Sequence, residues 1–452
     1  MRRKTSLILS VSLGLVTLLV VGALIGLPIW MRSILHSAAF RQLVDAKTGQ
    51  ALHAKATYSP LSWQGSSAFA DSLQVEGSPA SFVKNFQANQ IRAEMNWRAA
   101  WDGVWQIDRV DVVHFVGEFG PQNDSTLETP SVRTGKLPAL LPQNFKLGEL
   151  NLAQSKLTFL AGKDGFPMVL NDARLTLKPV GAGWTIDGSG GTFALPVLPE
   201  MEVVTFRSRL QESVFFLTEA NLRLGENGTL SATGEFAEKS QLKIQWTHLD
   251  AATFLDEEWR TRLSGRFDGT AKCAWPGAGP AHGTATGTFQ VTEGMLQNIP
   301  LLDKVADFTG ARQFRHMPIQ EFSGAYSWSA GTLTFTDLIL ESKGLMRVEG
   351  RCELAADGTL AGTLRVGVTP QTLQWLPGSR ERVFTVAENG YLWTPVRLAG
   401  TWENPQEDLS ARLAAAMKDE VINQGRKVID ALPGPAKEGA QGILDALMPL
   451  LK

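Results

Sequence analysis

The chain contains 452 residues, with 43 Lys and Arg against 45 Asp and Glu and a formal net charge of −2. This length exceeds that of the usual single domain and predicts either two or three domains or one elongated, repetitive body. Because the charge is nearly balanced and no long basic run follows the N-terminus, the composition argues against nucleic-acid binding.

The first 32 residues predict a membrane anchor. Three basic residues at positions 2 to 4 precede an uncharged apolar stretch of 24 residues, Leu7–Trp30. As a helix this stretch would measure roughly 36 Å, which exceeds a hydrocarbon core of about 30 Å. It is longer than the apolar part of a cleavable signal peptide, and no small-residue cleavage site precedes Arg32. We therefore expect residues 1–32 to cross the membrane once as a signal anchor, with a cytoplasmic N-terminus and Trp30 at the interface.

Residues 33–120 predict a membrane-proximal unit with one helix and several strands. Helical spacing of apolar residues begins at Ile34 and ends at Gly49, a typical C-terminal cap. Trp97 and Trp101 have two interpretations that the sequence leaves open, which are rings at headgroup depth or ordinary core packing. The strand-like runs of this unit are Ala54–Ser59, Phe69–Val75, Phe86–Met95 and Val104–Val116.

Residues 121–406 predict a loop followed by a long antiparallel body. Residues 121–144 hold few periodic apolar residues and are typical of a loop or linker. Over residues 145–406, pairs such as Asp357-Gly358 and Asn389-Gly390 separate short runs of alternating apolar residues, as hairpin turns do. The gaps are mostly too short for the helices that parallel strands require, so we expect a meander with few helices.

One run shows the pattern of this body clearly. From Met346 to Leu354 the even positions are apolar or glycine, and the odd positions alternate Arg and Glu. Successive side chains of a strand point to opposite faces, so one face must be buried against something while the other stays wet. We predict that residues of this kind line an apolar groove, and the candidates are Leu333, Phe335, Ile339, Met346, Val348, Cys352, Leu354, Leu364 and Val366.

No catalytic or metal-binding pattern accompanies these strands. The six histidines are scattered singly, and the chain has no nucleophile elbow, HExxH helix or phosphate-binding loop. Cys273 and Cys352 are too few for a disulfide framework, and we favour two unpaired residues inside sheets over a single disulfide. We therefore expect neither an enzyme nor a cofactor.

Residues 407–452 predict C-terminal amphipathic helices. Leu409, Leu413 and Ala416 begin an apolar stripe at helical spacing, and a second short stripe follows Pro433-Gly434-Pro435. These helices have three candidate positions, which are the end of the groove, a membrane surface, and the body of the protein itself. We favour packing on the protein.

The order of these elements resembles that of AsmA-like proteins. The resemblance rests on the anchor, the helix ending at Thr48-Gly49, and segments towards the C-terminus such as Gly294-Met295-Leu296, Gly331–Ser342 and Leu398–Trp402. It implies an anchored protein of the bacterial inner membrane that faces the periplasm and folds as an elongated, curved, taco-like β-groove. It also implies phospholipid or another acyl-chain lipid as ligand, the inner membrane and other envelope proteins as partners, and no catalytic residues.

The sequence leaves competing functions open. We expect a membrane-anchored lipid-binding or lipid-transfer protein that contributes to phospholipid transport or outer-membrane biogenesis. The alternative is a non-transporting scaffold or regulator of outer-membrane assembly, in which two sheets pack on each other around a dry core. A glycan-binding protein or hydrolase would need paired carboxylates facing a cleft, and no spacing identifies such a pair.

Overall fold

A computed structural model describes residues 35–77, 81–100, 104–120, 144–160, 167–196, 198–212, 214–276, 282–299, 312–374 and 378–416, together with residues 303, 306, 418 and 427. The protein is mainly β, as predicted: 67% of the described residues lie in strands, which form a large antiparallel sheet with few helices. In the part of the chain that the structure describes, no helix is both long and apolar enough to cross a membrane. The predicted anchor at residues 1–32 lies outside these described residues.

The chain forms two compact units, residues 1–222 and residues 223–452. Their boundary lies within the body predicted for residues 145–406. The loop predicted for residues 121–144 falls almost entirely outside the described residues, so its role as a linker stays a prediction.

The strands of unit 1 form an antiparallel ladder with one exception. The exception is β5, which pairs in parallel with β6 and β7, and residues 120–143 supply the chain length that a parallel connection needs. The elements are α1 (Ala38–Leu52), β1 (Ala54–Tyr58), β2 (Ser62–Gln64), β3 (Ser67–Gly77), β4 (Val83–Asn96), α2 (Trp97–Ala100), β5 (Val104–Phe119), β6 (Asn144–Leu147), β7 (Leu150–Phe159), β8 (Met168–Val180), β9 (Gly183–Ser189), β10 (Thr192–Leu195), β11 (Leu198–Gln211) and β12 (Val214–Leu224).

Unit 2 is an antiparallel meander whose long strands pair in chain order, β13 to β16, then β18 to β21, then β23. Three short strands, β17, β22 and β24, add to its edges. The elements are β13 (Gly228–Phe236), β14 (Lys239–Asp250), α3 (Glu257–Arg260), β15 (Leu263–Pro276), β16 (Thr284–Gln297), β17 (His316–Ile319), β18 (Glu321–Ser329), β19 (Thr332–Ser342), β20 (Met346–Leu354), β21 (Leu360–Val368), α4 (Pro370–Leu373), α5 (Ser379–Arg382), β22 (Val386–Glu388), β23 (Tyr391–Gly400) and β24 (Pro405–Glu407), followed by a helix over residues 409–416.

The hairpin between β22 and β23 shows the predicted turn chemistry. Asn389 and Gly390 both have positive φ, 51° and 82°. Two consecutive positive φ angles are what a two-residue turn needs to match the twist of its strands, and Asn-Gly adopts them at low cost.

Several strands change the face of their apolar residues partway along. In β19 the pairing with β20 shifts between Phe335 and Leu338, and Asp337 has φ 51°. His248 in β14 and Glu293 in β16 also have positive φ and are exposed. A bulge of this kind inserts an extra residue, so apolar positions step by three instead of two. The sheet stays one-sided although its sequence does not alternate strictly.

A ladder of ion pairs covers the polar face of β18 to β23. The Arg347 guanidinium lies 2.9 Å from the Glu341 carboxylate and 2.6 Å from that of Glu349. Arg365 pairs with Glu349 at 2.5 Å and with Glu388 at 2.9 Å. Burial acts to raise the pKa of Glu349, but the hydrogen bonds and charges of Arg347 and Arg365 outweigh it and hold this pKa below its ordinary value.

We predict that the bulge at Asp337 constrains which residues fit there. Asp337→Val should lower the free energy of unfolding by about 1–2 kcal/mol, because a β-branched side chain is strained at positive φ. Asp337→Gly should be neutral or stabilising, since glycine adopts this backbone at no steric cost. Urea unfolding measures both variants. Thr336→Val, an exposed neighbour, is the control, and an equal loss in the two valine variants would contradict the prediction.

We predict that the ladder makes stability depend on acid pH through Glu349. Its lowered pKa in the folded state means that the stabilisation is complete above the ordinary value of 4.5 and is lost as the pH falls below it. Glu349→Gln should therefore be less stable than the parent at pH 7, by on the order of 1 kcal/mol, and this gap should narrow below about pH 4.5.

The measurement is urea unfolding from pH 7 to pH 3. Glu76→Gln is the matched control, because Glu76 pairs with Lys55 at 3.7 Å on the surface, with 75% of its side chain exposed. A gap between Glu349→Gln and the parent that stays constant with pH would contradict the prediction.

Candidate functional site

The candidate site is the apolar face of unit 2 across β19, β20 and β21. The strand registers place its residues in rows that run across the sheet. One row is Leu340, Val348 and Val366, and another is Leu333, Leu354 and Leu360. We call this surface the apolar face; on these three strands it comprises Leu333, Phe335, Leu338, Leu340, Met346, Val348, Cys352, Leu354, Leu360, Leu364, Val366 and Val368.

Eight of the nine predicted groove-lining residues share this face. They are half-buried, neither enclosed nor fully exposed, and they are Leu333, Phe335, Met346, Val348, Cys352, Leu354, Leu364 and Val366. The alternation in the sequence therefore identified residues that lie side by side on three neighbouring strands.

The prediction for Ile339 is wrong. Ile339 pairs with Glu349, whereas its neighbour Leu340 pairs with Val348. The cause is the bulge at Asp337, which shifts the parity of β19, so Phe335 and Ile339 lie on opposite faces although they are an even number of positions, four, apart. Ile339 therefore lies on the face of the ion-pair ladder.

The apolar face extends to strands that the prediction left out. In β18, Phe322 pairs with Leu340 and Tyr326 pairs with Phe335. In β16, Val291 pairs with Phe322, and Phe289 lies opposite Gly324. These strands show the same apolar alternation, Phe322-x-Gly-x-Tyr326 and Ala285-x-Gly-x-Phe289, so the signal was available in the sequence.

Glycines on this face leave room for neighbouring aromatic rings. A Cβ added to Gly324 would lie 2.9 Å from Leu338 Cδ2 and 3.1 Å from Phe289 Cε1. Phe289 reaches over Gly324 towards Phe335, with ring centroids 5.9 Å apart. An aromatic ring of one strand therefore fills the space above a glycine of the next strand, which keeps the apolar face continuous.

Tyr326 lies flat against the sheet. Its hydroxyl donates a hydrogen bond of 2.9 Å to the Thr270 carbonyl oxygen on β15, two strands away, and lies 2.7 Å from where a Cβ on Gly287 would be. Burial, followed by the nearby Cys273, raises the pKa of Tyr326 to about 12. The face therefore presents an apolar ring here with its polar tip already bonded.

Few polar groups interrupt the apolar face. Cys273 and Cys352 are free, and burial raises the pKa of both thiols. Three strands, β16, β18 and β19, separate the strands that carry them. The Ser342 hydroxyl and the Trp246 indole N–H are buried and have no hydrogen-bond partner among the described residues.

Burial distinguishes the apolar surfaces of the two units. In unit 1, small residues of β1, β3, β4 and β8, such as Ala54, Val75, Ala88 and Ala173, are buried in one hydrophobic cluster. In unit 2 the rows through Phe335 and Val348 are only half-buried. Unit 1 therefore contains an enclosed hydrophobic cluster, while the apolar face of unit 2 keeps area that another layer can cover.

One end of the apolar face is closed by the chain itself. Val368 and Leu392 are buried in a cluster with Leu373, Phe384 and Ala416. Leu409 and Leu413 of the helix over residues 409–416 pack against the same cluster, as does Val366. Of the C-terminal helices predicted for residues 407–452, the helix over residues 409–416 thus packs on the body of the protein at the end of the apolar face. Residues 417–452, apart from residues 418 and 427, lie outside the described residues.

The three tryptophans predicted for a membrane interface are placed unequally. Trp97 packs in an aromatic cluster of unit 1, with its ring centroid 5.6 Å from that of Trp63 and 6.0 Å from that of the buried Trp105. This contact agrees with the core-packing alternative for Trp97. Trp30 and Trp101 lie outside the described residues, so their interfacial role stays a prediction.

The described residues contain no group of three or more His, Cys, Asp or Glu arranged to hold a metal ion. Comparisons with known proteins found no matching family model, no similar curated protein and no similar solved structure.

Proposed function

We propose that this chain is a membrane-anchored, periplasmic lipid-binding or lipid-transfer protein of the bacterial inner membrane. It would contribute to phospholipid transport or to outer-membrane biogenesis, through an elongated β-groove and without a catalytic step. One observation carries the proposal, which is the half-buried apolar face across β18 to β21. The resemblance to AsmA-like proteins supports it.

The physical argument is that this face needs a cover. Each methylene that leaves water contributes about 0.8 kcal/mol, so an acyl chain laid along the rows is an adequate layer. A lipid headgroup can stay in water at the edge of the sheet while its tails contact residues such as Phe335 and Val348. The ion-pair ladder on the opposite face marks the side that faces water.

The second candidate is a non-transporting scaffold or regulator of outer-membrane assembly with a dry core. The enclosed cluster of unit 1 favours it, because that surface needs no ligand to be buried. The two candidates therefore differ in what covers the apolar face of unit 2.

We predict that lipid contacts one face of the sheet and not the other. A photo-crosslinking residue at Phe335 or Val348 should label phospholipid in membranes, whereas the same residue at Ile339 should not, because Ile339 lies on the face of Glu349. Mass spectrometry of the crosslinked chain detects the adduct. Equal labelling at all three positions, or no labelling at Phe335 and Val348, would contradict the proposal.

We predict that a charge on the apolar face removes bound lipid. Val348→Arg should purify in mild detergent with less phospholipid than the parent, while its cooperative thermal unfolding is retained, because a partly open face lets the guanidinium reach water. Ala361→Arg, exposed on the opposite face beside Glu353, is the matched control. Unfolding of Val348→Arg alone would favour the dry scaffold, and a parent free of phospholipid would contradict lipid binding.

A further inference from the structure

The helix over residues 409–416 contacts the apolar face at a defined place. Leu409 and Leu413 pack against the buried cluster that contains Ala416, Val368 and Leu392, and Val366 packs against the same cluster. Val366 lies in the same row as Val348 and Leu340. The cluster that the helix covers therefore borders the half-buried rows. Its apolar stripe therefore covers the kind of surface that remains uncovered further along the strands.

Polar contacts hold this helix in place. The Arg412 guanidinium donates hydrogen bonds to Thr394 Oγ1 at 2.9 Å and to the Pro395 carbonyl oxygen, and it lies 3.5 Å from the Asp408 carboxylate. Asp408 in turn accepts the Arg397 backbone N–H at 2.9 Å. Arg412 thus ties the helix to β23, whose Thr394 pairs with Val366 of the apolar face.

The start of the helix is anchored separately. The Glu407 carboxylate accepts the backbone N–H of Leu409 at 2.6 Å and that of Ser410 at 2.9 Å, as an N-terminal cap does. The Glu407 backbone belongs to β24, which pairs with β23. The first turn therefore stays attached to the edge of the sheet when contacts further along the helix are broken.

These contacts combine a fixed base with an apolar stripe, and among the described residues Arg412 is the side chain of this helix that hydrogen-bonds to β23. We propose that residues 409–416 form a displaceable plug, which competes with an acyl chain for the Val366, Val368 and Leu392 end of the apolar face. The inference rests on the proposed function, because the competitor is the proposed ligand. In this arrangement the empty protein covers that end with its own helix, and a bound acyl chain replaces the helix there.

The test joins a ligand measurement with a measurement of the plug itself. Binding of dansyl-labelled hexadecanoic acid is titrated by fluorescence on the full chain. In a Cys273→Ala, Cys352→Ala background, Val368→Cys places a thiol under the helix, and its rate of maleimide labelling reports opening. Arg412→Ala should raise both the labelling rate and the affinity for the probe by about tenfold, the scale expected for lost charge-assisted hydrogen bonds.

Controls separate opening from unfolding. Ser410→Ala changes an exposed side chain of the same helix and should leave both readouts unchanged. Asp408→Asn keeps the acceptor for Arg397 but removes the charge beside Arg412, so it should shift both readouts in the same direction as Arg412→Ala by a smaller factor. Circular dichroism and thermal unfolding confirm that each variant folds.

The outcomes distinguish the two proposals. In the parent, saturating probe should speed labelling of the thiol at position 368. If the probe binds all variants equally and the thiol stays protected, the plug is overturned and the lipid-binding function stands. If labelling rises in Arg412→Ala but no variant binds the probe, lipid binding fails and the competition fails with it.

Discussion

The structure depends on the one-sidedness of its strands. A strand presents successive side chains to opposite faces, so apolar residues on one parity create a surface that must leave water. In a helix-rich protein a second layer of helices would bury that surface. Here strands make up 67% of the described residues, and the described helices are short except for α1. Each part of the sheet therefore covers its apolar side in a different way.

Three kinds of cover occur in the described residues. In unit 1, alanines and valines of neighbouring strands pack closely enough to exclude water, and α1 adds Phe40 to the aromatic cluster around Trp105. At the end of unit 2, the helix over residues 409–416 covers Val368 and Leu392. Elsewhere in unit 2, Phe289 and Tyr326 lie against glycines and shield part of the face. The rows through Phe335 and Val348 keep a partly open surface, which is why a ligand is proposed there and not in unit 1.

On the opposite face of unit 2, ion pairs connect neighbouring strands. Arg347 and Glu349 are each only about a fifth exposed and pair with each other on β20. Arg347 also pairs with a carboxylate of β19, and Glu349 pairs with an arginine of β21. Trp393 lies over Gly367 beneath the Arg365 guanidinium, whose carbon is 4.4 Å from the ring centroid. This network links consecutive strands without a second sheet. A half-open apolar face and a bonded polar face can therefore coexist on the same strands.

Local sequence signals were enough to predict the mainly β class, a tight turn and most of the apolar face. Period-two alternation identified eight residues that the strands place together, and Asn389-Gly390 identified a tight turn, because both signals act within a few residues of chain. Tertiary structure decided the position of Ile339, since a bulge with positive φ at Asp337 changes the parity of a strand without changing its composition. It also decided which apolar residues are enclosed and which are half-open. Alternation says that a face must be covered, but only the packing of distant strands and the helix over residues 409–416 determines what covers it.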